Sequence, residues 1–134
     1  VRAGAACAGC DLFQADLSYQ TLRGRSFAAS RLRQADLSLA EADGARFANA
    51  DLSIANLFGA RFSGADFSNA NLERATLVGA YLGGARMNGA RLTGANLSGA
   101  ELVGAHGLTQ AQLSAACADS CARQAAASGA AKVG

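Results

Sequence analysis

The stretch Ala50-Asp51-Leu52-Ser53-Ile54-Ala55-Asn56-Leu57-Phe58-Gly59-Ala60-Arg61-Phe62-Ser63-Gly64-Ala65-Asp66-Phe67-Ser68-Asn69-Ala70-Asn71-Leu72 decides the fold. Ala returns at every fifth residue, and Leu or Phe stands two places after it. The rhythm extends outward in both directions, from Cys10 to His106. A period of five matches neither the helix repeat of 3.6 nor the strand repeat of 2. Such a pattern specifies a solenoid, in which short units bury their apolar side only by stacking.

Composition sets the bounds. At 134 residues the chain reads as a single domain, 1–134. Its net charge is +2, from 12 basic and 10 acidic residues, which implies neither a nucleic-acid footprint nor a disordered tail. Hydrophobic residues make up 51%, yet much of this is Ala. No apolar run approaches the roughly 18 residues of a membrane span. Proline is absent, as expected where a ladder needs nearly every backbone N–H. The chain opens at Val1 rather than Met, the mark expected of a removed leader or tag.

The A(D/N)LxG-type pentads, with Leu or Phe central and Ala two before it, resemble the pentapeptide-repeat family from about Ala5 to Gly104. The resemblance implies an all-β solenoid: a right-handed quadrilateral parallel β-helix, one pentad per side and four per coil. Counting Cys7 as the first centre, twenty pentads make five coils. The expected layout is a lead-in and first pentad over 1–9, the β-helix over 10–106, a helical cap over 107–127 and a tail over 128–134.

A twenty-residue coil lets the sequence be read as columns. Two inner columns are Leu12, Leu32, Leu52, Leu72, Leu92 and Leu17, Leu37, Leu57, Leu77, Leu97. A third, Phe27, Phe47, Phe67, Met87, predicts an aromatic stack. The fourth, Leu22, Ala42, Phe62, Leu82, Leu102, has a weak member in Ala42, over which Phe62 or Leu22 is expected to lean.

Outside, Asp11, Arg31 and Asp51 share one column and Arg46, Asp66 and Arg86 another, while Glu41 sits beside Arg61 and Arg23 under Asp43. This alternation reads either as a charged recognition surface or as inter-coil ion pairs that fix register, and it favours the latter. At the corners, Gly24, Gly44, Gly64, Gly84 and Gly104 form a glycine column suited to positive φ and type II turns. Tyr19, Leu39, Ile54 and Arg74 occupy the same position on other sides, and their bulk predicts a different turn class there.

Phe13, Tyr19, Leu39, Ile54, Phe58 and Val78 are the candidate interaction face. Such a patch fits a protein partner, a weak homodimer, or surface apolar residues without a role. At the C-terminus, Thr109-Gln110-Ala111-Gln112 reads as a capping box opening a helix into the 120s that lays Leu113, Ala116 and Cys117 over the last coil. Gln20 and Arg25 stand where Ala belongs, so the first coil should distort and Arg25 reach solvent.

The four cysteines fall as Cys7 and Cys10 at one end and Cys117 and Cys121 at the other. Five coils separate the ends by roughly 24 Å at strand spacing, beyond disulfide or shared zinc geometry. Each pair is then a local disulfide, a redox-active pair or two buried thiols. Two local staples make the best physical sense, and disulfides persist in oxidising compartments. An exported location, periplasmic or thylakoid-lumen-like, follows as the expectation, with the cytoplasm as the alternative.

No catalytic, cofactor-binding or metal site emerges: His106 is the lone histidine, and Gly79, Gly83, Gly84 and Gly89 lack the Lys of a phosphate loop. The expected function is a non-catalytic structural or protein-interaction module, without cofactor or nucleic-acid partner. The alternative implied by the resemblance is a DNA mimic that modulates gyrase. The near-neutral charge and the short chain disfavour it.

Overall fold

The computed structural model describes residues 7–116. Between Cys7 and His106 the chain winds as a solenoid whose sides are so short that each contributes one ladder residue. Residue i pairs in parallel with residue i+20 without interruption, from Asp11 with Arg31 to Arg86 with His106. A turn falls every five residues, so each coil has four corners.

One pentad shows why the rhythm produces this path. Asp51 N–H donates to Ser30 O (3.0 Å) in the coil below, and Leu52 N–H to Asn71 O (2.7 Å) in the coil above. Ile54 N–H also donates upward, to Glu73 O (2.9 Å), while Ala55 N–H closes the corner on Leu52 O (3.1 Å). The remaining donor, Ser53 N–H, bonds the Asp51 carboxylate at 3.0 Å. All five amides are thus satisfied, which a buried or half-buried backbone requires.

That last bond explains the Asp or Asn before the central residue. The short carboxylate or amide reaches the N–H two residues on, as an Asx turn does. The same bond recurs from Ser38 to Asp36 (2.9 Å), Phe58 to Asn56 (3.1 Å), Glu73 to Asn71 (3.0 Å) and Ser98 to Asn96 (3.0 Å).

The interior is built from the central residues and the corner alanines. Leu17, Leu37, Leu52, Leu57, Leu72, Leu77, Met87 and Leu97 are all buried, whereas Leu12 at the first coil is only half-buried. Each fully buried Leu or Phe contributes on the order of 1.5–3 kcal/mol. Phe47 stacks on Phe27 (centroids 5.3 Å, planes 10° apart) and on Phe67 (5.1 Å, 7°). Phe62 meets Phe47 and Phe67 edge-on, at 5.7 and 5.2 Å. Beside fully buried Ala42, it is therefore Phe62 that turns into the stack.

The expectation of a separate turn class at bulky corners is overturned. Tyr19, Leu39, Ile54 and Arg74 have φ of 62°, 58°, 57° and 59°, against 68–78° for the glycine column from Gly24 to Gly104. Positive φ at the third turn residue recurs at every fifth position from Gly9 to Gly104, the mark of a type II corner. An L-residue there carries a clash of about 1–2 kcal/mol. Two backbone bonds offset it, one upward from the strained residue and one closing the turn, each contributing about 0.5–1.5 kcal/mol.

Where Gln20 replaces Ala the corner bond lengthens to 3.4 Å (Gln20 N–H to Leu17 O), whereas at Arg25 it is 3.2 Å (to Leu22 O), the same as at Ala60. The ladder nevertheless continues through this coil, and Arg25 is half-buried rather than splayed into solvent.

The coil ends in helix α1, Gln110–Ala115, with Thr109 as N-cap and the full capping box in place. Gln112 works in two directions: its Oε1 accepts from Thr109 N–H (2.6 Å), and its Nε2 donates to Met87 O and Ala90 O, both at 2.9 Å. Leu108, Leu113 and Ala116 are buried. Within the described residues α1 is held to the coil below it by Gly94 N–H, which donates to Ala115 O at 2.8 Å, and the continuation expected into the 120s lies outside those residues. Cys117 and Cys121 lie outside the described residues.

Candidate interaction face and terminal cysteines

The predicted face divides once side chains are placed. Tyr19 is 74% exposed, Phe58 47%, Leu39 40% and Phe13 39%, while Ile54 and Val78 are half-buried. Leu39 N–H donates to Phe58 O at 2.8 Å, so these two occupy neighbouring coils. Leu39 leans upward over Gly59, where a β-carbon would meet its Cδ2 at 2.9 Å. Phe13 sits around the corner beneath the Arg31 guanidinium, 4.3 Å from the ring centroid, and Arg31 in turn bonds Asp11 at 3.1 Å. Phe13 is therefore partly covered and set apart from the Tyr19–Leu39–Phe58 strip.

Sequence reasoning missed two exposed apolar residues, Tyr81 and Val103. The Tyr81 ring lies 5.7 Å from Arg61 Cζ, on a different side of the coil. The signal was available: Tyr81 continues the Glu41, Arg61 column, a position polar elsewhere.

The charges form a zipper in which Asp11–Arg31 and Arg23–Asp43 pair along the columns as expected, while Glu41 takes a partner the columns do not suggest. Glu41 and Arg61 are ladder neighbours, but Glu41 pairs with Arg23 from the coil below. Asp43 bridges Arg23 (3.7 Å) and Arg61 (3.9 Å), and Glu73 holds Arg91 at 3.0 Å. The corner carboxylates reach further up or down than those tied to Asx turns. Asp66 is an example of the second kind. Burial acts to raise its pKa, but the Ser68 hydroxyl and N–H, with Arg86 and Arg46 above and below, hold the carboxyl below its ordinary value. Asp11 is lowered by the Phe13 N–H and by Arg31, and Asp16 by the Ser18 hydroxyl and N–H.

At the N-terminal end, Cys7-Ala8-Gly9-Cys10 is itself a corner. Cys7 takes the position of a central residue and Cys10 that of an Ala, with Gly9 at φ 72°. The two sulfurs lie at bonding distance, with Cα atoms 5.3 Å apart. Ser30 ties the pair to the next coil, accepting from Cys10 N–H (3.2 Å) and donating to Cys7 O. His106 closes the ladder opposite Arg86 and is exposed. Among the described residues no cluster of metal-ligating side chains forms, and no helix is long and apolar enough to cross a membrane.

A parallel coil of twenty residues with Leu or Phe inside and Asx turns at its corners defines a class of protein, and the comparisons agree. The sequence matches the Pentapeptide repeats family (8 copies) over residues 22–57, 55–94 and 77–121. The chain belongs to the pentapeptide-repeat family, whose fold is the right-handed β-helix. It is similar to a pentapeptide repeat protein from the Arabidopsis thaliana thylakoid lumen, at 41% identity over 72% of this chain and 70% of that one, with a TM-score of 0.48. It also resembles the pentapeptide repeat protein Rfr23 of the cyanobacterium Cyanothece 51142, at 35% identity over 68% and 58% of the two chains, TM-score 0.45. QnrB1, a plasmid-mediated fluoroquinolone resistance protein, is 24% identical over 76% and 63%, TM-score 0.39. No curated protein matches.

Proposed function

We propose that this chain is a non-catalytic protein-interaction module: a five-coil rod that presents a fixed apolar strip to a protein partner. The observation that carries the reading is the Tyr19–Leu39–Phe58 strip, exposed by 40–74% and held on laddered corners. An apolar strip on a rigid backbone binds with little ordering entropy. Ladder pairing specifies the spacing of its members, and contiguous exposed apolar surface marks interaction sites. The same strip is also suited to a weak homodimer.

The module is exported in this reading, into a periplasmic or lumenal space, with Cys7 and Cys10 joined as a staple. Support comes from the placement of both sulfurs at one corner of the terminal coil, where fraying begins, and from the persistence of disulfides in oxidising compartments. Cys117 and Cys121 are proposed as the second staple.

A photo-crosslinking residue at position 19, compared with one at position 49 on another side, tests the strip in cells. Adducts formed at 19 and not at 49 support it; equal adducts at both refute it. Alkylation on lysis followed by intact mass tests the staple, because free thiols at Cys7 and Cys10 would remove the exported reading. Gyrase modulation is the second reading. A rod with net charge +2 and ion pairs of alternating sign lacks the uniform negative field of DNA. Inhibition of supercoiling by the purified protein at micromolar concentration would reverse that judgement.

A further inference from the structure

A groove of about 360 Å³ opens along the corner that follows the Asp51 side, and its lining is polar and charged except for Ile54. The groove exists because of one small residue. The corner column carries Phe13, Arg33, Ser53, Glu73 and Thr93, so Ser53 leaves a notch between two long side chains. Arg33 reaches up into that notch and donates from Nη1 to Ser53 Oγ at 2.9 Å. Arg74 borders the groove from the coil above Ile54, its stem leaning on toward Gly94, where a β-carbon would meet Arg74 Cγ at 3.3 Å.

Of the acidic groups in the groove, Glu73 is ion-paired and Asp51 has one oxygen occupied by Ser53. Asp51 Oδ1 accepts both the Ser53 hydroxyl (2.6 Å) and its N–H (3.0 Å), and Glu73 is paired with Arg91 (3.0 Å). Arg33 and Arg74 form no ion pair among the described residues. Two guanidiniums with open donors therefore share one concave site. Guanidinium forks match carboxylates in geometry and charge. With Arg33 held up at the Ser53 coil and Arg74 leaning toward the Gly94 coil, the two forks stand about two coil spacings apart, roughly 10 Å.

We propose that this groove binds a small dicarboxylate, one carboxylate on Arg33 and the other on Arg74. The volume suits a ligand of a few carbons, at the lower end of small-molecule sites. The groove lies around a corner from the Tyr19–Leu39–Phe58 strip, and the proposal is independent of any protein partner.

Isothermal titration of the full chain with glutarate at low ionic strength tests it. Saturable one-site binding is expected. Arg33→Gln and Arg74→Gln should each weaken it by about tenfold or more, the loss of one charge-assisted contact. Arg86→Gln, on another side, should leave affinity unchanged, and the monocarboxylate butyrate should bind markedly more weakly than glutarate. Circular dichroism of each variant separates lost binding from lost fold. The proposal is overturned by no saturation at low-millimolar glutarate, by an equal loss in Arg86→Gln, or by butyrate binding as well as glutarate.

Discussion

Phe47 is the residue whose truncation should damage the interior most, and the structure gives the reason. Its ring is sandwiched between Phe27 and Phe67 and touched edge-on by Phe62, three aromatic partners within 5.1–5.7 Å. Phe27 has a single such partner, Phe47. Truncating a buried Phe to Ala destabilises by about 3–5 kcal/mol from lost transfer and residual cavity. Each well-placed aromatic pair adds about 0.5–1.5 kcal/mol beyond area. Phe47→Ala removes two more pairs than Phe27→Ala, so it should be worse by roughly 1–3 kcal/mol. Ala42 lies in the same coil and is already small, which leaves no neighbour in that coil's column to refill the space. Urea denaturation followed by far-UV circular dichroism measures both variants, and an unchanged m-value confirms that the same unit is unfolding. Equal losses for Phe27→Ala and Phe47→Ala would refute the claim that the three-way contact at Phe47 carries stability.

Other outcomes follow from single contacts. Gly44→Ala adds a β-carbon that meets nothing within 4 Å at φ 70°, so its effect is conformational; a loss of roughly 0.5–1 kcal/mol is expected in thermal melts. Leu57→Asp places a carboxylate at a fully buried position and should abolish the cooperative transition seen by calorimetry. Asn71→Ala removes the acceptor of Glu73 N–H and should lower stability by about 1 kcal/mol in urea. Asp11, Asp16 and Asp66 are lowered from 3.8 in the fold, so their contribution is present above that value and lost as pH falls through the lowered folded values. A melting temperature that drops below about pH 4, with a shallower drop in Asp66→Asn, is the expected acid profile.

The repeat, the inward centres, the glycine column and the capping box could all be read from the sequence because each is a local pattern with one physical solution. Three things could not. The left-handed backbone at Tyr19, Leu39, Ile54 and Arg74 runs against residue preference, and only the ladder bonds from the neighbouring coil impose it. The partner of Glu41, and Arg61 as a second partner of Asp43, depend on side-chain reach, which column register does not encode. The anchoring of α1 on the coil depends on Gly94, twenty-one residues before Ala115, donating to its carbonyl, a contact no local pattern carries. The Asx-turn role of Asp51 and Asn71 was legible in principle, since Asp or Asn recurs one residue before the centre, but it is easily mistaken for surface polarity.

The ladder's constant offset also bears on how the rod is made. Every inter-coil pairing joins residues about twenty apart, wherever in the chain it falls. Contact order therefore does not grow with length; it stays near twenty residues, roughly 0.15 of this chain, between the values of helical bundles and of most all-β domains. The loop entropy of adding a coil is the same for the last as for the first. A nascent chain can seat each coil on the one before it once twenty further residues have been synthesised. Synthesis and folding then advance at the same pace, and between the first coil and the growing edge every ladder is already paired.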